Sequence, residues 1–247
     1  VFASLVPLLL ASIAAVITSF FFRGTDVLFS FELLDAWRVK DIVFYVLLGL
    51  ATGIASVYFS KMYFLITRFF SRFSNAYIKI GIAAIAIGFM LYLFPPLYGE
   101  GYGLINNLLN GKTEAALSGI QYQIDFNNIW MVIVILLIIA VFKAIAMTTT
   151  FAAGGVGGIF IPTLFMGSAL GNAVAKAINQ FGFEVSEANF TLIGMTGLMA
   201  GVLHAPLTAI FLIAEITGGY DLFVPLMLVA TISFGFTKYF VPNSIYT

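Results

Sequence analysis

The chain has 247 residues, 62% of them hydrophobic and 9% charged, with a mean hydropathy of +1.08. A soluble domain carries about 25% charged residues, so a water-facing enzyme, a nucleic-acid binder and a disordered chain are all excluded. The 11 basic and 11 acidic residues cancel, cysteine is absent and His204 is the lone histidine, which leaves no field for polyanions, no disulfide framework and too few ligands for a metal site.

A helix needs about 20 apolar residues to cross a hydrocarbon core of roughly 30 Å. Residues 1–22 carry no charge and form the first such run. Residues 42–60 form the second, and its apolar pattern continues past Lys61 towards Phe70. Residues 80–97 are the third run, closed by Pro95 and Pro96. Gly101 and Gly103 read as a turn before a short re-entrant helix. Residues 129–150 are the fourth run, interrupted by Lys143. From 154 to 175 the chain is apolar but broken by glycine and proline. Residues 191–214 and 222–241 complete the set, each with an internal proline. Transmembrane strands alternate polar and apolar residues, and these runs do not. The pattern predicts an all-α, polytopic integral membrane protein.

Loop charges suggest an orientation. Residues 61–79 hold Lys61, Arg68, Arg72 and Lys79 with no acid, which places that connection in the cytoplasm. Residues 23–41 and 99–128 are mixed or acidic and sit more easily outside, so Val1 starts on the cytoplasmic side. The opening at Val1 and the stop at Thr247 read as those of a piece of a longer chain.

Four glycines in the five residues 154–158 interrupt the apolar pattern. Glycine costs about 1 kcal/mol per residue in a helix interior, so the helix should break there. Irregular backbone at membrane depth is tolerated where it is buried in protein or lines an aqueous cavity. Pro162 then suits a first helical turn, where its missing N–H costs nothing. One reading is a helix N-terminus whose free amides and partial positive charge make an anion site without a cation. Such weak binding is what conduction requires. The other is a glycine-rich packing face between helices.

The run GGVGGIFIPTLFMGSALG resembles the GxFxP segment of the CLC family of chloride channels and proton-coupled chloride transporters. The stretch GMTGLMAGVLHAPLTAIFLIAEITGGYDLFVPLML is similar to that family's next two long helices. The ending PNSIYT resembles the point where a tyrosine reaches the central anion. The resemblance implies tilted and broken helices in the second half of an inverted-repeat transporter fold. Residues 1–40 would belong to a helix of the preceding half and a connecting loop, and 41–247 to the second repeat.

It also implies that the amides of Ile159 and Phe160 and the hydroxyl of Tyr246 hold chloride, with Gly157, Gly158 and Pro162 supporting the helix break. Taken alone, Tyr246 reads as an interfacial tyrosine, and it is the motif context that reverses this. The family's GSGIP segment and its G(K/R)EGP segment with a gating glutamate have no counterpart in this sequence. Lys143 reads as a basic residue drawing anions towards the pore, or as a snorkelling or structurally paired one. Glu215 and Asp221 read as capping or interfacial charges, and His204 is given no proton role.

The function so implied is selective chloride transport in a plasma or inner membrane, by proton-coupled antiport or a voltage-gated channel, without a cofactor. Expected partners are chloride, protons, the bilayer, a second copy in a homodimer and the missing N-terminal half. A fluoride-selective member of the same family is the nearest alternative. An intramembrane enzyme would need paired aspartates, a Ser/His pair or metal ligands at depth. A structural membrane anchor would not need a proline-bearing helix break.

Overall fold

The computed structural model describes residues 2–24, 37–216 and 220–246. Most of the loop expected over 23–41 lies outside the described residues, as do Thr217, Gly218 and Gly219 of the AEITGG sequence and Thr247. Among the described residues the regular structure is helical throughout: α1 (Phe2–Arg23), α2 (Ile42–Phe70), α3 (Ala76–Leu93), α4 (Tyr102–Leu109), α5 (Thr113–Ala116), α6 (Ile129–Ala152), α7 (Phe160–Gln180), α8 (Glu187–Leu203), α9 (Pro206–Ile216) and α10 (Phe223–Phe240). The expected all-α, polytopic architecture is what the chain adopts.

Among the described residues, five helices are long and apolar enough to cross a membrane: α1, α2, α3, α6 and α10. Helix α8 sits at the centre of the fold. Every residue from Asn189 to Val202 on it is buried, because α7, α2, α10, α9 and α4 surround it. No hydrophobic force draws helices together in lipid, so close contact depends on small residues. Gly167 on α7 and Gly194 on α8 provide it. A β-carbon on Gly167 would lie 2.6 Å from the Gly194 carbonyl oxygen, and one on Gly194 would lie 2.5 Å from that of Gly167. Helix α1, by contrast, exposes every described side chain from Leu5 to Phe22.

Local chemistry sets the boundaries. Asn75 starts α3 by accepting from the Tyr77 amide, and Asn128 starts α6 by accepting from the Met131 amide. Such caps satisfy amides that the first helical turn leaves open. Helix α3 therefore begins before the expected residue 80, and it stops at Leu93 because Pro95 and Pro96 form a 3-10 turn. The run read over 191–214 is two helices. His204 ends α8 in a left-handed conformation, φ 56°, and Pro206 opens α9. A proline disfavours helix in the residue before it, and at the first helical position it loses no hydrogen bond. Gly101 caps α4 at φ 89°, whereas Gly103 lies within the helix.

Candidate functional site

Helix α6 ends in tight backbone turns. The Gly154 amide donates to the Phe151 carbonyl at 2.9 Å, and the Gly155 amide donates to the Thr150 carbonyl at 2.9 Å. Gly154 has φ 99°, a conformation that side-chain-bearing residues avoid. The chain then runs exposed through Val156, Gly157 and Gly158. Helix α7 starts at Phe160, with Ile159 as its N-cap at φ −77° and ψ −25° and no side-chain cap. Ile159 is 5% exposed, so its side chain anchors the helix start in the core.

The first turn of α7 closes when the Thr163 amide donates to the Ile159 carbonyl at 3.2 Å. Among the described residues, no acceptor reaches the amides of Gly157, Gly158, Ile159, Phe160 or Ile161. Pro162 has no amide to satisfy. The break therefore leaves consecutive backbone donors at the positive end of a 21-residue helix. A β-carbon on Gly158 would meet no atom within 4 Å, and one on Gly157 would come no closer than 3.6 Å to Phe151. These two glycines do not pack helices together within this chain. Nor does Gly158 have a φ that a larger residue resists, so the demand for glycine at this break falls on Gly154, through its φ, and on Gly155, where a β-carbon would lie 2.9 Å from the Thr150 carbonyl oxygen.

A cleft of about 470 Å³ opens beside this segment, lined in part by Gly157, Gly158, Pro162, Thr150, Glu100 and Lys143. Lys143 is 5% exposed. Its ammonium donates to the carbonyls of Leu97, at 3.1 Å, and Gly99, at 2.8 Å. It also lies 4.5 Å from the centre of the Phe165 ring. Gly101 abuts the same ring so closely that any β-carbon there would strike it. Lys143 thus ties the segment after α3 to α6 and α7. The Leu97 and Gly99 carbonyls and Phe165 were not singled out in the sequence, although the prolines and glycines around them marked an irregular segment.

The structure therefore brings Gly157, Gly158, Pro162 and Lys143 to one cleft, whereas Ile159, buried, and Phe160, half-buried, are not among the residues lining it. Tyr246 is not among the residues lining it and is 68% exposed. Its amide donates to the Ser244 hydroxyl at 3.3 Å, which in turn donates to the Leu203 carbonyl at 3.3 Å. The tail thus hangs from the end of α8. His204 packs edge-on against Phe234, with ring centres 5.7 Å apart. Glu215 lies exposed in the last turn of α9, and Asp221 lies exposed before α10. Among the described residues, no group of acidic side chains and histidine is arranged to hold a metal ion.

The model of the voltage gated chloride channel family matches residues 2–238. With nearly the whole chain matched, and with a broken-helix fold of this kind, the chain belongs to that family, the CLC proteins. It is 27% identical over 227 residues to an H(+)/Cl(-) exchange transporter, ClcA, of Vibrio cholerae, covering 89% of this chain and 45% of the relative. It is 24% identical over 252 residues to a voltage-gated ClC-type chloride channel, ClcB, of Salmonella typhimurium, covering 99% of this chain and 55% of the relative. A solved CLC-type fluoride/proton antiporter shares the fold, with a TM-score of 0.73 at 22% identity over 99% of this chain and 55% of that one. The chain thus spans about half the length of the curated relatives it matches. It is an integral membrane protein of a family made up of channels and transporters.

Proposed function

We propose that the protein carries small inorganic anions, chloride foremost, across the membrane, with the α6–α7 break forming part of the anion site. The observation that supports this reading most directly is the row of unaccepted amides from Gly157 to Ile161 at the start of α7. Amides and a helix end stabilise a dehydrated anion without a counter-charge, and they release it more readily than a cation would. Ile159 and Phe160 act through their backbone, and the Tyr246 hydroxyl adds a neutral donor from the C-terminal tail. Lys143 acts by holding the cleft wall in place, since its ammonium already serves two carbonyls.

The remainder of the site comes from a preceding half that packs against the exposed faces of this one, and two copies assemble as a homodimer. Proton-coupled antiport and voltage-gated conduction both fit this half-site. The test is flux from vesicles containing the intact protein, loaded with chloride or fluoride, with internal pH recorded. Chloride efflux above that of empty vesicles is expected, and a simultaneous pH change identifies antiport. No anion efflux from correctly folded protein would overturn the reading.

A further inference from the structure

The turn between α2 and α3 carries an exposed ladder of charge and apolar surface that the anion site does not use. Lys61, Phe64, Leu65, Arg68, Phe69 and Arg72 are all exposed. Their spacing of three and four residues places the α2 members on one face of the helix. The apolar members are strongly exposed, Leu65 at 61%, Phe69 at 44% and Phe64 at 42%. Phe69 also meets Phe73 edge-on at 5.5 Å, which carries the aromatic surface round the turn. Lys79 stands on α3 nearby in sequence and is half-buried.

No acidic residue occurs between Lys61 and Lys79. Among the described residues the ion pairs are Arg38 with Asp41 and Lys176 with Glu187, and none involves these four cations. Within the described residues the cations therefore lack counter-charges, at the end of two helices with exposed apolar faces. We infer that this face of the α2–α3 turn binds the headgroups of anionic phospholipids. Arg68 and Arg72 meet phosphates at the membrane surface. Lys61, two turns deeper on α2, reaches up along its own apolar stem to the same level. Acyl chains lie against Phe64, Leu65 and Phe69. The complementarity is one of sign and of layout, since phospholipid also stacks an anionic head on an apolar tail.

The intact protein, reconstituted in nanodiscs of equimolar phosphatidylcholine and phosphatidylglycerol and released into detergent, is weighed by native mass spectrometry. Phosphatidylglycerol should be retained in preference to phosphatidylcholine, and excess inorganic phosphate should not displace it. The Arg68→Gln, Arg72→Gln double variant should lower that preference about tenfold or more, while the corresponding lysine double variant keeps it. Equal retention of both lipids, displacement by phosphate alone, or an unchanged preference in the glutamine variant would each overturn the inference. So would failure of a maleimide to label Arg72→Cys, at headgroup level, in the intact protein, because the face would then be covered by protein.

Discussion

The Lys143 ammonium donates to the Gly99 carbonyl at 2.8 Å, joining the middle of α6 to a segment 44 residues earlier in the chain. With the second bond to Leu97 and the Phe165 ring beneath it, this buried cation is solvated by protein. A lysine at this depth would otherwise be costly. Its partners explain how the sequence bears it.

Replacing Lys143 with methionine keeps the stem and deletes the donors. Each carbonyl then left without a partner costs about 1–3 kcal/mol. The expected outcome is a lower unfolding midpoint in detergent for Lys143→Met, with Lys143→Arg closer to the parent. Thermal unfolding followed by tryptophan fluorescence checks this, and an unchanged midpoint for Lys143→Met would remove the clamp from the account.

The glycines of the break are not equivalent. Gly154→Ala places a side chain at φ 99° and should destabilise by about 1–3 kcal/mol. Gly158→Ala meets open space and should leave stability within about 0.5 kcal/mol of the parent. The pair of unfolding midpoints tests whether glycine is required by the backbone at 154 and not required at 158.

The α7–α8 contact tolerates no added volume. Gly167→Ala would drive a methyl to 2.6 Å from the Gly194 carbonyl, and overpacking of a rigid contact costs about 1–3 kcal/mol or more. Folded yield after detergent extraction should fall steeply for this variant, and a normal yield and midpoint would contradict the packing described.

Tyr246→Phe removes one neutral donor, worth about 0.5–1.5 kcal/mol. Calorimetry on the intact protein should show chloride binding weakened by about tenfold or less, with flux retained. Unchanged affinity would mean that the Tyr246 hydroxyl does not serve the anion.

The composition made the all-α membrane architecture legible, because uncharged runs of helix-spanning length admit few other structures. The α6–α7 break was legible for the same kind of reason, since the glycines over 154–158 and Pro162 act locally. The split at His204 was harder to see. The run over 191–214 is apolar throughout, and only Pro206 hinted at a left-handed residue two places earlier. A structurally paired Lys143 is among the readings the sequence allows, but its partners were not legible, because they are backbone carbonyls brought near by tertiary packing and backbone groups carry no sequence signal. Nor does sequence alone reveal which glycine is strained and which is merely exposed.

The central claim is that backbone amides at the start of α7 hold the anion. Replacing Phe160 by its α-hydroxy acid changes one amide to an ester and leaves every side chain in place. A hydrogen bond to a charged partner is worth about 1.5–3 kcal/mol, so chloride affinity measured by calorimetry on the folded, intact protein should fall by about tenfold or more. Ile159→Val, which alters no amide, should leave that affinity unchanged. Undiminished chloride binding by the Phe160 ester protein would contradict the account.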